Sequence, residues 1–355
     1  MKRRKVAPFV VAQFVVLTAL AQQPRIQNAQ MQTRSAASGL ESTFNSIVSA
    51  QSTPAWIGYS VPIVKGDRQM CCSNNGVIYG CSLEPRSADQ RVVVTTNQPV
   101  KLEGPTDLLV LFRVEQRSVG RVRAFTTECE LDAGGLPFIW LTDVKPVDSI
   151  RLLATFAKQT GDERQERRKA DSAVSAIALH ADSAADDALQ QLSVASNPEF
   201  VRRQAAFWLG SARGKRGYEI LSRIVREDPS DKVREHAVFA LTESKEPEAL
   251  NTVIRVAHED KSPRVRGQAL FWLAQRAGRK MAESAINDAI TNDPETEVKK
   301  KAVFALTQMP AGDGVPLLIQ VARTNRNPEV KKQAMFWLGQ SKDPRALSFI
   351  EEVLK

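Results

Sequence analysis

Apolar residues recur with a long, fixed period through the second half of the chain. Phe207, Phe239, Phe271, Phe304 and Phe336 stand 32, 32, 33 and 32 residues apart, each inside a near-copy of one hexamer: AAFWLG, AVFALT, ALFWLA, AVFALT and AMFWLG. A period in this range means one supersecondary unit stacked many times. Within each copy the spacing Val201, Ala205, Leu209 is that of one helix face. A second ladder, Leu189, Leu221, Val253, Ile286, Leu318 and Ile350, predicts a partner helix in every unit. Val174 and Ile177 continue the pattern backward without the aromatics, as a terminal repeat with one neighbour would. Asn197, Asp228, Ser262, Asp293 and Asn327 each precede Pro and read as N-caps, while Gly210, Gly278 and Gly339 read as helix stops.

The first half changes period. Leu40, Phe44, Ile47 and Val48 would share one face of a short helix, with Ser38 and Glu41 as a capping box. From Pro54 the alternation of Ile57, Tyr59, Val61 and Ile63 with smaller or polar residues suits a half-buried strand. Further strands are predicted at Val77–Tyr79, Arg91–Thr95, Leu108–Glu115, Arg121–Thr127 and Phe138–Thr142. Turns are expected at Asn74–Gly76, Gly104-Pro105, Ser118–Gly120 and Asp132–Gly135, and a closing helix over Asp148–Lys158. The fold class is therefore α+β in two domains. Residues 22–53 form a flexible leader with that short helix, 54–160 a small β-rich domain of sandwich or barrel-like form, and 161–355 an all-α solenoid, joined through the charged run Gly161–Lys169.

Helical geometry asks where each repeated residue points. At about 100° per residue with Val201 at zero, Ala205 falls near 40°, Leu209 near 80° and Trp208 near −20°, one stripe facing the partner helix. Ala206 and its equivalents Val238, Leu270, Val303 and Met335 occupy a flank suited to the next repeat. Phe207 falls near −120°, about 150° from the stripe, so packing within its own pair does not explain it. Two placements are open: a seam in which each Phe leans on the adjacent repeat, or an exposed aromatic ladder on the concave face. Arg203, Glu235, Lys300 and Lys332 border the row on one side; Gln204, His236, Gln268, Lys301 and Gln333 border it on the other. Such a polar border around an apolar row suits a protein-binding groove. Trp208, Trp272 and Trp337 alternate with Ala240 and Ala305, which reads as core volume alternating large and small over a two-repeat unit.

Charge and cysteines set the compartment. Of the net charge of +9, four units sit at Lys2–Lys5. The rest is spread thinly, without the dense basic stripe of a nucleic-acid binder. The apolar stretch Val6–Leu20 and the small residues Ala19 and Ala21 fit a secretory signal cleaved after Ala21. At about 15 residues it falls short of the ~20 that span a bilayer, and an uncleaved anchor is the alternative. Cys71, Cys72, Cys81 and Cys129 then read as two disulfides of an exported protein, periplasmic or extracellular. Adjacent Cys71 and Cys72 would close a strained ring, so the expected pairs are Cys72–Cys81 and Cys71–Cys129. Zinc is disfavoured because the spacing lacks C-x-x-C elements.

The pattern V-R/K-x-x-A-apolar-F-A/W-L resembles HEAT-type repeats, and more closely the short HEAT-like repeats of phycobilisome lyases. Its positions run from Val201-Arg202 through Val233-Arg234, Val265-Arg266 and Val298-Lys299 to Val330-Lys331. The resemblance covers residues 168–355 and implies an α-solenoid, not a bilin pocket. Deoxyhypusine hydroxylase, a HEAT-like enzyme, places His-Glu dipeptides on its second helices. Here the aligned pairs are Gln204-Ala205, His236-Ala237, Gln268-Ala269, Lys301-Ala302 and Gln333-Ala334, so the iron-binding resemblance fails. Phosphate-loop, serine-elbow and H-E-x-x-H motifs are absent from the sequence. The expectation is an exported scaffold for a protein or peptide partner, with no enzymatic activity and no cofactor. The alternative makes the β domain the functional module, an enzyme or a small-ligand or glycan binder, around Trp56, Tyr59, Trp140 and the turn Asp132–Gly135, with the solenoid as a docking arm.

Overall fold

The computed structural model describes residues 26–66, 70–74, 77–85, 106–158 and 164–355. The signal segment, the strand expected at 91–95 and the turn at 104–105 lie outside the described residues. The chain begins with β1 (Ile26–Gln27), β2 (Gln30–Ser35), α1 (Leu40–Ala50), β3 (Ala55–Pro62), β4 (Cys72–Asn74), β5 (Val77–Tyr79) and β6 (Cys81–Ser82). It continues with β7 (Asp107–Glu115), β8 (Ser118–Thr126), β9 (Leu131–Asp132) and β10 (Pro137–Thr142). A five-stranded mixed sheet has the order β2-β10-β3-β7-β8, and a small parallel sheet has the order β1-β9-β6.

Two expectations for this half need correcting. The Gln-rich leader is not a free segment: Gln30–Ser35 pairs in register with Pro137–Thr142 as the edge strand β2. Its low hydrophobicity suits that place, because all six residues are exposed. β3 is buried on both faces, not one. Ala55, Ile57, Tyr59 and Val61 face the core shared with α1 and the following helices. Trp56 faces a second core with Leu109, Leu111, Phe125, Phe138 and Trp140, closed by Cys81, Leu83, Cys129 and Leu131 around the small sheet. Gly58 fits this face because a Cβ there would stand 2.6 Å from Leu111 and 2.9 Å from Phe138. The sheet is thus sandwich-like, and Trp56, Tyr59 and Trp140, at 0%, 0% and 3% exposure, are core residues and not a ligand surface. The β7–β8 turn falls at Gln116 and Arg117, both at positive φ, and the expected turn residues Ser118–Gly120 lie inside β8.

The disulfides pair as expected, Cys71 with Cys129 and Cys72 with Cys81, at Cα separations of 5.3 and 5.4 Å.

Helices follow without interruption of the core: α2 (Pro146–Ala157), α3 (Arg164–Leu179), α4 (Ala184–Leu192), α5 (Glu199–Ala212), α6 (Gly214–Glu227), α7 (Asp231–Glu243) and α8 (Ala249–Glu259). Then come α9 (Pro263–Arg276), α10 (Arg279–Asn292), α11 (Thr296–Leu306), α12 (Gly314–Thr324), α13 (Pro328–Gln340) and α14 (Pro344–Leu354). The charged run expected as a junction is helical from Arg164 and packs on β8, where Lys169 Nζ donates to the Val119 carbonyl at 3.3 Å. Val174 and Ile177 lie in α3, fully buried. The α2–α3 pair is therefore both the cover of the sheet and the first step of the stack, and one apolar cluster runs from Ala36 to Phe349. Along the stack, the α3, α5, α7, α9, α11, α13 row is packed more closely than the row of partner helices.

A buried polar chain sits where sheet and stack meet. His180 Nδ1 is 2.7 Å from the Ala176 carbonyl, which can only accept, so this nitrogen carries the proton. Nε2 is left to accept from the Ser149 hydroxyl at 2.8 Å, and Ser149 accepts from the Tyr59 hydroxyl at 2.9 Å. Burial holds the His180 pKa down at about 4, so the ring is neutral, and burial raises that of Tyr59. Backbone bonds from Val64 to Leu179 and from Ala181 to Pro62 close the same seam.

Candidate functional site

The second helices α5, α7, α9, α11 and α13 carry two distinct systems of repeated side chains. The first is built by the Arg of the repeat motif. Arg202, Arg234 and Arg266 are buried, and each forks onto the Asp that closes the next repeat's first helix. Arg202 meets Asp228 at 2.9 and 3.1 Å, Arg234 meets Asp260 at 2.8 and 3.0 Å, and Arg266 meets Asp293 at 2.7 and 3.0 Å. Planar fork geometry and double bonding make these the strong form of ion pair. The second amino nitrogen of each Arg also ties down a loop carbonyl: Asn197, Asp228 and Asp260 respectively. Asp228 and Asp293 therefore do not cap the following helix, as their position before Pro suggested; they end α6 and α10 and hold the buried cations. Asn327 does cap α13, accepting from Glu329 and Val330. At the fourth step both partners change together, to Lys299 and Asn325. The Asn keeps the turn bond to Asn327 at 2.9 Å, and Lys299 turns to the Thr291 carbonyl at 2.9 Å.

The other system is the aromatic row. Phe207 stacks on Phe239 at 6.1 Å and 14°, and Phe271 stacks on Phe304 at 6.1 Å and 10°. Between these pairs the tryptophans bridge: Phe239 meets Trp272 at 4.7 Å and Phe304 meets Trp337 at 5.1 Å. Each Trp also takes the edge of its own Phe, at 5.3, 5.1 and 4.9 Å for Trp208, Trp272 and Trp337. The result is one continuous aromatic spine across successive helices. The Phe side chains make the inter-repeat seam and remain half-buried, with Phe336 at 54% exposure. The tryptophans are not inward core volume; they are half-buried too. An indole near the edge of the core stripe is too large to turn in, so it spreads sideways onto the neighbouring Phe. Where the repeat has Ala240 in place of Trp, the helices close up instead. A Cβ on Gly210 would stand 2.2 Å from the Ala240 carbonyl, so Gly210 is a packing residue of α5 and not its stop. The two-repeat period is thus a period of Phe pairing.

Beside this spine α5, α7 and α9 form an open groove of about 520 Å³, lined by Glu199, Arg203, Lys232, Glu235, His236, Phe239, Arg264, Gln268 and Trp272. The structure brings together six of the residues singled out in the sequence: Arg203, Glu235, His236, Phe239, Gln268 and Trp272. Phe207, Phe271, Phe304 and Phe336 continue the spine outside the groove lining, and Lys300 and Lys332 lie further along, Lys300 paired with Glu297 at 3.0 Å. Glu199, Lys232 and Arg264 were missed, although they stand four residues before Arg203, His236 and Gln268, one helical turn away on the same face. His236 lies 6.4 and 6.0 Å from Phe207 and Phe239, and burial, helped by the charge of Arg203, lowers its pKa. The Glu199 carboxyl is held low by the Ser230 hydroxyl at 2.6 Å, and Arg264 pairs with Glu235. Among the described residues there is no cluster of His, Cys, Asp or Glu able to hold a metal ion, and no helix long and apolar enough to cross a membrane.

No curated protein matches this chain. Among solved structures it is similar to the phycocyanin lyase complex of CpcE and CpcF from Nostoc sp. PCC7120, at 19% identity and a TM-score of 0.34, over 45% of this chain and 100% of that one. It is similar to YibA of E. coli at 20% identity and a TM-score of 0.37, over 60% and 81%. Human deoxyhypusine hydroxylase is similar at 17% identity and a TM-score of 0.24, over 58% and 90%. The family described as HEAT repeats matches residues 218–286 and 283–355, and the helix pairs of this region are HEAT repeats.

Proposed function

We propose that this chain is an exported, non-enzymatic scaffold that holds an extended protein segment along its second-helix face. The observation that carries the reading is the aromatic spine opening into a groove with a mixed polar rim. Half-buried aromatic rings on a rigid helical row offer apolar side chains a surface already ordered before binding. Closer packing of this row than of its partner row supports a stack curved around it, with the spine on its concave side. Two disulfides and the signal-like first 21 residues support export, since disulfides persist in oxidising compartments. Both faces of the sheet are filled, so the sheet serves as the stack's N-terminal support in this reading.

Peptides selected on the intact chain from a random library, then titrated against wild type and a Phe239→Ser, Phe271→Ser, Phe304→Ser variant, test the reading. The variant should bind at least about 100-fold more weakly while circular dichroism retains the helical signal. Equal binding by a folded variant would move the binding surface off the spine and overturn the proposal.

A further inference from the structure

Arg202 and Arg203 are neighbours on α5 with opposite circumstances. Arg202 is saturated by Asp228 and two carbonyls. Arg203 lines the groove, and among the described residues its guanidinium has no ion pair and no hydrogen bond, while its Nε is buried without an acceptor. A partly desolvated guanidinium with an unmet donor is unfavourable until a carboxylate supplies acceptors in fork geometry. The charges around it do not remove this demand. Glu199 is engaged by Ser230, and Glu235 by Arg264. Asp171 on α3 hydrogen-bonds Gln204 and lies in the field of Arg203 and Arg167, while burial pushes its pKa up. Lys232 adds a further cation to the rim.

Resting on the groove reading above, we propose that the held segment is acidic as well as apolar, and that Arg203 receives one of its carboxylates while adjacent apolar side chains pack on Phe239 and Trp272. The ring arrangement argues for a peptide over other anions. Phe207 with Phe239, and Phe271 with Phe304, lie nearly parallel with centroids 6.1 Å apart, an offset stack made within the protein. Half-buried rings already engaged by one another and by the tryptophans suit packing of aliphatic or aromatic side chains better than flat stacking of a nucleobase.

The test uses the full chain and three labelled ten-residue probes of alternating Leu and Glu, Leu and Gln, or Leu and Lys. Fluorescence anisotropy at about 0.15 M salt should show the Glu probe binding at least about tenfold tighter than the Gln probe. Arg203→Gln should bring the two within about twofold, Arg203→Lys should restore only part of the preference because the fork is lost, and Arg203→Glu should favour the Lys probe. Since the Arg203 side chain makes no hydrogen bond or ion pair among the described residues, these variants should fold as wild type does. A wild type that binds Glu and Gln probes equally, or an Arg203→Gln variant that keeps the preference, overturns the acidic-partner inference; the groove reading survives if Phe239→Ser abolishes binding of both. Probe binding unchanged by Phe239→Ser, or no binding of any probe, overturns both. Competition by a single-stranded oligonucleotide as strong as by unlabelled Glu probe would also overturn the choice of a peptide.

Discussion

The two edges of the second-helix row handle charge in opposite ways. Along the loop edge, Arg202, Arg234 and Arg266 are each closed off by an aspartate from the next repeat, so each charge serves to fix repeat against repeat. Along the aromatic edge, Arg203 is open, His236 is held neutral-leaning by burial and by its cationic neighbour, and the rings are half-exposed. Both edges repeat with the same period, so periodicity alone does not separate structural from functional residues. What separates them is whether each polar group's bonds are already satisfied within the molecule.

The largest expected effect breaks the closed edge. Arg234→Met leaves Asp260, whose side chain is 5% exposed, buried without its cation, and should destabilise by about 3–5 kcal/mol in urea unfolding. Adding Asp260→Asn should recover most of that loss. The natural Lys299/Asn325 step already shows an amide keeping the turn bond once the buried Arg is gone.

Next in size is a pH effect at the seam between sheet and stack. Folded His180 takes up a proton only near pH 4, while in the unfolded chain it does so near its ordinary value of about 6.5. Between these values the unfolded state binds more protons, so acidification favours it. Stability should fall by up to about 3 kcal/mol as the pH drops from 6.5 to 4. His180→Gln, compared with wild type in urea titrations at several pH values, should flatten that segment of the curve.

The smallest effect sharpens the contrast from the open edge. Arg203→Gln should lower unfolding stability by no more than about 0.5 kcal/mol, although it sits one residue from a position where loss of the guanidinium is severe. Arg202→Gln, measured alongside by urea unfolding, supplies the severe member of the pair.

Much of the architecture was legible because it is local. The Phe period and the i, i+4 ladder located the helix pairs, and the alternating runs located β3, β7, β8 and β10. Elements whose role depends on distant partners were misjudged. Gln30–Ser35 carries no strand signal of its own and is ordered by pairing with a strand more than 100 residues later. Asp228 and Asp293 look like caps from their neighbours in sequence, and only packing against the preceding repeat reveals an arginine for each. Trp272 lies on the inward side of a helical projection, yet its size carries it out to Phe239.

By itself, the sequence determined that helix pairs would stack and that aromatic residues would lie off the core stripe, because both follow from a 3.6-residue turn repeated about every 32 residues. Tertiary structure alone decided that the sheet and the stack share one core, that the phenylalanines pair two by two, and that Arg202 is closed while Arg203 is open. Those outcomes turn on which groups meet across repeats, and partners brought together by packing leave no mark in the local pattern of either one.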